Sequence, residues 1–408
     1  MIHAKIITVP LLSLLLATAL TGCSSEQQQG QQQPEEQQRG KPQQQEESSK
    51  ELIYVGTFAD RGGEGLYVFE FNRETGGLSQ IQTVSDREGP DFQALHPAGS
   101  YLYSVSDESF SEDSDHGTLT AYQIDQKTGR LSLVNEQSAE GQGPAHVSVG
   151  PEGRFAYVSN YSGGNISMFA IDEEDGSLGK AADVEQHEGS SINEDRQNAP
   201  HVHSAIPSAD GNFVYVSDLG TDRIMIYEVD HERGKLNPAE TPYAESNPGS
   251  GPRHFTFHPD DNYAYSAEEL SSTVAVFQAN PSTGALTQIQ RITMLPEDYD
   301  QPGNSAADIH ISPDGRFLYA SNRGHDSLVI YEIDQDSGKL TLAGHEPTRG
   351  GHPRNFMIDR RGAYVLVANM DDDNIVVFSR DKETGELTYT GEQVEVPMPV
   401  CLTQYILE

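Results

Sequence analysis

The residues best suited to catalysis cluster in one segment, "GSGPRHFTFHPDDNYAYSAEEL", residues 249–270. Arg253 and Glu269 flank a "HPDD" turn, which predicts a hairpin that returns both to the same end of a sheet. An arginine can bind an anion or stabilise an oxyanion, and a glutamate can orient a base or transfer a proton. We expect His254 and Glu268 to have supporting roles, because side chains alternate along a strand and turn these two away from their neighbours.

Two further motifs carry residues of the same kind. "PHVHSA" holds His201 and His203 two positions apart, which places both rings on one face of a strand, and "YASNRG" holds Arg323. A histidine titrates near neutral pH and can act as a general base. The pair could also bind a metal, but no third ligand is nearby, so we expect no metal and no cofactor. No serine lies in a nucleophile-elbow motif, so we expect water to be the nucleophile.

These segments belong to an internal repeat that begins near residue 51. Each copy has an aromatic-rich strand ending in a polar residue, then a second alternating strand, then an "x-x-G-x-L" hairpin, as in "FAYVSN", "ISMFAID" and "DGSLGKA". Seven copies follow one another at a spacing of roughly 50 residues, without any long segment of helical period. Four short antiparallel strands per copy describe a propeller blade, so the sequence predicts an all-β, seven-bladed β-propeller.

The two ends of the repeat indicate how the ring closes. Six copies begin with an extra strand, such as "GPRHFTF", but the first begins directly at "ELIYVGTF". The chain finishes with a lone strand-like segment, Pro399–Leu407. We expect this strand to become the missing inner strand of the first blade, which removes exposed sheet edges. An open solenoid would instead need polar end caps, and none is evident.

Aligning the copies places one mostly polar position near the start of each inner strand. Buried strands normally carry Val or Ile there, so polar residues at matching places in different blades should converge on the channel axis. A hydrated channel without chemistry is the alternative. The aligned residues are Phe92, His146, His203, His254, Asp308 and Asn355.

The composition excludes some partners. The 408 residues carry 63 acidic against 26 basic side chains, a formal net charge of −37. Such a charge repels nucleic acid and anionic membrane surfaces. It fits either a solvated acidic surface, as in salt-adapted proteins, or a surface that collects Ca²⁺.

The N-terminus is predicted to direct export. Residues 1–22 form a signal peptide, and "LTGC", ending at Cys23, resembles the lipobox of bacterial lipoproteins. That resemblance implies cleavage before Cys23 and lipidation of its thiol; an ordinary signal peptide is the alternative. Residues 23–50, rich in Gln and Glu, should form a disordered tether. With Cys23 lipidated, Cys401 has no partner for an intramolecular disulfide.

The propeller region, residues 51–408, resembles the lactonase family of seven-bladed propellers, which includes 6-phosphogluconolactonase and the fungal carboxymuconate cyclase. The resemblance rests on "YVGTF", "VSNYSGGNISMF", "PHVHSA", "GPRHFTFHPD", "ISPDGRFLYASNRGHDSLVIY" and "GHPRNFMID". It implies catalytic roles for His203, Arg253, Glu269 and Arg323. Relatives usually have Asn where this chain has Glu268. The additional carboxylate should weaken attraction for an anionic substrate and raise the pKa of Glu269.

The expected function is hydrolysis of a small sugar-type lactone by an activated water, in a monomer that meets the membrane only through its lipid anchor in the cell envelope. A muconate-type lactonising cyclase and a non-catalytic surface propeller that binds a ligand or protein are the alternatives, since fold alone does not fix function. The residues expected to bind substrate are His146, His201, His254 and Asp308.

Overall fold

Alternating strands and tight turns fill the chain from residue 50 onwards. The computed structural model of the protein describes residues 50–407; the predicted signal peptide, Cys23 and the tether up to residue 49 lie outside the described residues. Within that range all regular structure is β. The first fourteen strands are β1 (Lys50–Thr57), β2 (Leu66–Phe71), β3 (Leu78–Val84), β4 (Pro90–Leu95), β5 (Tyr101–Ser106), β6 (Thr118–Ile124), β7 (Leu131–Ser138), β8 (Pro144–Val149), β9 (Phe155–Asn160), β10 (Asn165–Ile171), β11 (Leu178–Gln186), β12 (Val202–Pro207), β13 (Phe213–Asp218) and β14 (Arg223–Asp230).

The second half repeats the same lengths and spacings. Its strands are β15 (Lys235–Glu245), β16 (Pro252–Phe257), β17 (Tyr263–Glu268), β18 (Thr273–Ala279), β19 (Leu286–Thr293), β20 (Ser305–Ile311), β21 (Phe317–Arg323), β22 (Ser327–Ile333), β23 (Leu340–Pro347), β24 (Pro353–Ile358), β25 (Tyr364–Asn369), β26 (Asn374–Arg380), β27 (Leu387–Glu395) and β28 (Pro399–Leu407).

The strands form seven antiparallel four-stranded sheets, which confirms the predicted blades. Blade 1 has the order β28-β1-β2-β3, and blades 2 to 7 each use four consecutive strands, from β4–β7 to β24–β27. The inner strands contact one another around a closed ring in which β28 touches both β24 and β4. The C-terminal strand therefore completes the first blade, as predicted, and leaves no open edge inside the ring.

The core is divided among the seven blade interfaces. Each of the seven buried apolar clusters joins side chains from two neighbouring blades, and the cluster around Ile53 and Leu366 joins blades 1 and 7. This follows from the sequence pattern, because a sheet packed on both faces needs apolar residues on both.

A hydrogen bond recurs between neighbouring blades. The buried Tyr54 hydroxyl donates to the carbonyl oxygen of Gly129 at 2.8 Å, and Tyr103 donates to Gly176 in the same way at 2.9 Å. Each acceptor is the glycine of the "x-x-G-x-L" hairpin in the next blade. Gly176 has a φ of +69°, and an added Cβ would lie 2.5 Å from the ring of Tyr101, so this position requires glycine.

Among residues 50–407 no helix is long and apolar enough to cross a membrane. In the same range no three His, Cys, Asp or Glu side chains are grouped so that they could hold a metal ion.

Candidate active site

An additional residue interrupts the pairing near the start of most inner strands. In β16, Pro252 pairs with Glu268 and His254 pairs with the preceding Ala267, so Arg253 has no partner of its own. Such a bulge re-aims one side chain out of the alternation of the strand. The residues skipped in this way in blades 2, 3, 4, 5 and 7 are Asp91, Ala145, His203, Arg253 and Arg354.

The register corrects the predicted alignment of His203. In β12, Val202 pairs with Asp218 and Ser204 with Ser217, so Ser204, not His203, is equivalent to His254. His203 is equivalent to Arg253 instead. The sequence alignment paired His203 with His254 because both are histidines. A bulge adds one residue to a strand without changing the local composition, so the sequence does not reveal where the bulge lies.

Glu269 lies immediately after β17 and binds three arginines. Its Oε2 lies 3.1 Å from Nε of Arg253 and 3.0 Å from Nη2 of Arg323, and its Oε1 lies 2.6 Å from Nη2 of Arg196. Burial raises the pKa of Glu269, but the charges of Arg323, Arg253 and Arg196 outweigh it and lower the pKa to about 2. Glu269 is therefore a permanent anion near neutral pH, on a cluster that carries excess positive charge.

Backbone carbonyls fix the two buried guanidinium groups. Arg253 Nη1 donates to the carbonyl oxygen of Ala307 at 2.8 Å, and Arg323 Nη2 donates to that of Ala306 at 2.7 Å. The predicted meeting of Arg253 with Glu269 across the hairpin is thus present, with Arg323 arriving from the following blade.

Glu268 does not act on the site as the sequence suggested. Its Oε2 accepts hydrogen bonds from Arg291 Nε at 2.7 Å and from the Thr273 hydroxyl at 2.6 Å, and the residue is fully buried outside the cavity. The expected rise in the pKa of Glu269 is wrong: Arg291 neutralises Glu268, and three arginines face Glu269 directly.

His203 faces a cavity of about 290 Å³ at one mouth of the channel. The ring is buried, its Nδ1 has no hydrogen-bond partner among residues 50–407, and its edges meet the rings of Tyr161 and His254. Burial, followed by the charges of Arg253 and other nearby cations, holds its pKa well below the usual range. The imidazole is therefore neutral near neutral pH and can accept a proton.

His201 contacts the site through Tyr161 and does not line the cavity. Its ring stacks on that of Tyr161 at 4.6 Å, and its Nδ1 lies 3.1 Å from the Tyr161 carbonyl oxygen. The Tyr161 hydroxyl in turn accepts a hydrogen bond from Arg196 Nη2 at 3.2 Å. The two histidines of "PHVHSA" thus hold Tyr161 between them, and direct substrate contact by His201 stays a prediction.

The other predicted substrate-binding residues are buried behind the cavity, where the His254 ring contacts that of His203. His254 Nδ1 is 2.6 Å from Asp308 Oδ1, and the His146 ring lies 5.8 Å from the His254 ring. Burial and the Arg253 charge lower the pKa of His254 to about 4, so it is neutral near neutral pH. Asp308 Oδ2 also accepts from Asn355 and lies 2.8 Å from His310 Nε2. None of these three residues lines the cavity, and their contact with substrate remains a prediction.

The propeller as a whole is similar to a known protein family. Residues 52–404 match the model of the lactonase family, described as a seven-bladed β-propeller. The chain belongs to this lactonase family. Two curated relatives named 6-phosphogluconolactonase support the assignment. The Formosa agariphila protein is 39% identical over 76% of this chain and 87% of its own length, and the Bacillus subtilis protein is 37% identical over 76% and 86%.

Solved structures of similar proteins superpose closely on this lactonase propeller. The Pseudomonas aeruginosa periplasmic gluconolactonase superposes with a TM-score of 0.82 at 32% identity, covering 88% of this chain and all of that one. A putative 6-phosphogluconolactonase from Bacteroides fragilis gives 0.81 at 34% identity, over 88% and 98%.

Sequence reasoning missed several residues of the lactonase cavity. The repeat could have identified Arg354, because "HPRNF" contains the same Pro-Arg pair as "GPRHF". It could also have identified Asp91, which occupies the same place in "GPDF". The repeat could not have identified Arg196, since it lies in the long connection between β11 and β12, which has no counterpart in the other blades. The missed residues at the cavity are Asp91, Asp107, Tyr161, Arg196 and Arg354.

Proposed function

We propose that this chain hydrolyses a small sugar lactone and that the cavity beside His203 is the active site. The observation that carries the proposal is a neutral, buried histidine next to a fixed cluster of arginines, in a cavity of about 290 Å³. The curated relatives named as lactonases support the same reaction class.

In the proposed reaction His203 removes a proton from a water molecule, and the water oxygen attacks the lactone carbonyl carbon. Negative charge then develops on the carbonyl oxygen. The arginines around Glu269 provide positive charge that is already oriented, because Arg253 and Arg323 each also bind a backbone carbonyl. Glu269 positions these arginines and transfers no proton, since its pKa is about 2.

The finer substrate assignment follows from the predicted export. A phosphorylated sugar lactone is a cytosolic metabolite type, so we propose an unphosphorylated sugar lactone for a protein in the cell envelope. The similar Pseudomonas aeruginosa protein is a periplasmic gluconolactonase, which supports this choice.

We propose that residues 1–22 are removed on export and that Cys23 carries the lipid, with residues 24–49 as a tether to the propeller. Cys23→Ala should move the chain from the membrane fraction to the soluble exported fraction. Membrane association that survives this substitution would point to a different anchor.

The activity is tested with the purified full chain on a panel of sugar lactones, with and without phosphate. His203→Gln should lower turnover at least tenfold and by as much as about 10²–10⁴, the usual contribution of a general base. His231→Gln is the matched control, because His231 lies in the hairpin after β14, away from the cavity, and should leave turnover unchanged. Equal activity of wild type and His203→Gln would exclude this mechanism.

A further inference from the structure

Opening a lactone requires a proton for the departing ring oxygen as well as a base for the water. Among the acidic side chains at the cavity, Glu269 is excluded as that donor, because three arginines surround it and keep its pKa at about 2. Asp107 is exposed and accepts a hydrogen bond from the backbone amide of Gly143 at 3.1 Å. The remaining carboxyl at the cavity is Asp91.

Asp91 occupies the same structural position as His203. It is the skipped residue of β4, as His203 is of β12, so the same bulge turns both side chains toward one cavity. Blades 2 and 4 lie on either side of blade 3, whose skipped residue is the small Ala145. A substrate can therefore lie between the two groups.

The surroundings of Asp91 favour a protonated carboxyl. Within residues 50–407 it takes part in no hydrogen bond and no ion pair. Burial raises its pKa well above the usual range, and the charges of Asp107 and Asp60 act in the same direction. Arg354, which faces it from β24, acts in the opposite direction but does not prevail. An acid held in its neutral form can donate a proton near neutral pH.

We propose that Asp91 is the general acid that protonates the leaving ring oxygen, an inference that rests on the proposed lactonase function. His203 takes a proton from water while the water oxygen bonds to the carbonyl carbon. The bond between that carbon and the ring oxygen then breaks, and its electron pair stays on the ring oxygen. This oxygen takes the proton from Asp91, giving the hydroxy acid. The proton on His203 returns to Asp91 through water, which restores both groups.

Two lactones with different leaving groups test this role. Gluconolactone releases an alkoxide that needs a proton, whereas the aryl lactone dihydrocoumarin releases a phenol of pKa about 10, which can leave as the anion. Asp91→Asn should lower kcat/KM for gluconolactone by about 10²-fold or more, and for dihydrocoumarin by less than about threefold. The wild-type rate should fall at alkaline pH, because a general acid cannot donate a proton once it is deprotonated. The rate of Asp91→Asn should not show this fall. Asp86→Asn, an exposed carboxylate preceding the same strand, is the control and should match wild type.

Difference infrared spectroscopy gives a readout that is independent of turnover. The full-length wild type should show the carbonyl band of a protonated carboxyl near neutral pH, and Asp91→Asn should lack it. Absence of that band in the wild type, or equal losses with both lactones, overturns the role of Asp91 while leaving the lactonase proposal in place. A wild type that opens neither lactone overturns the proposed function and this role with it.

Discussion

Glu269 shows how one buried carboxylate organises several cations. It follows β17 directly and contacts arginines from β16, from β21 and from the connection before β12. Removing one member of a buried ion cluster leaves uncompensated charge, which costs more than the net contribution of the ion pairs to stability. The arginine positions therefore depend on Glu269 even though it transfers no proton.

We predict that Glu269→Gln destabilises the fold by about 3 kcal/mol near neutral pH. The folded-state pKa, about 2, is depressed below the ordinary 4.5, so this contribution is present above pH 4.5 and is lost as the pH falls toward 2. Urea unfolding of wild type and variant between neutral pH and about pH 3 should show the difference shrinking.

Glu74→Gln serves as the control for this series, because Glu74 is an exposed acid whose replacement should change the free energy of unfolding by less than about 0.5 kcal/mol. A stability difference for Glu269→Gln that stays constant across the pH range would contradict the depressed pKa.

At the level of elements, the site is built from inner strands that each contain one skipped residue. This bulge recurs in the inner strands of blades 2, 3, 4, 5 and 7, and it places the skipped side chains of these five strands at one level of the channel. After the bulge of β16, His254 resumes the pairing with Ala267, and its ring binds Asp308, which lies within a register shift of β20. The ring geometry therefore positions the catalytic candidates, and the strands are held by the blade interfaces.

Strand β28 joins the two ends of the ring, and we predict that its loss opens the ring. It pairs with β1 along Lys50–Thr57 and packs against β24 and β4, so deletion of residues 399–408 exposes an inner edge and two interfaces. The deletion should lower the melting temperature and broaden the transition, as followed by calorimetry. Melting at the temperature of the full chain would refute closure by this strand.

A point substitution in β28 tests the contribution of this strand to stability if the deletion variant does not fold. Gln404 on β28 donates to Glu51 Oε2 at 2.9 Å and accepts from the Arg360 amide at 2.8 Å. Gln404→Ala removes both hydrogen bonds, one of them to a buried carboxylate, and should cost about 1–3 kcal/mol.

At the level of the whole molecule, the dominant property is charge. The formal net charge of −37 produces self-repulsion that opposes the compact state. Yet three arginines, Arg196, Arg323 and Arg354, line the cavity, and their positive charge matches the negative charge that develops on a lactone carbonyl during attack.

We predict that the melting temperature rises between low and moderate NaCl concentrations, because screening shortens the reach of repulsion to about 8–10 Å at 0.1–0.15 M salt. Repeating the series close to the isoelectric point, near pH 4.5, provides the control, since the net repulsion is then absent and the salt effect should disappear. A melting temperature that falls with added salt at neutral pH would contradict the prediction.

The sequence by itself determined the architecture, because short local patterns of residues specify each blade. Alternation and turn residues define each blade, seven copies define the ring, and the unpaired segment Pro399–Leu407 defines the closure. It also identified Glu269, Arg323 and His203, which line one cavity, and Arg253, which contacts Glu269.

Only the tertiary structure decided how these residues are aligned and what completes the cavity. The skipped position of His203 depends on the register between two strands, which composition does not record. Arg196 reaches Glu269 from a connection without a repeat, and Asp91 is distinguished from other aspartates by its skipped position at the cavity. Register, long-range contact and burial arise from packing between blades, so no local pattern could reveal them.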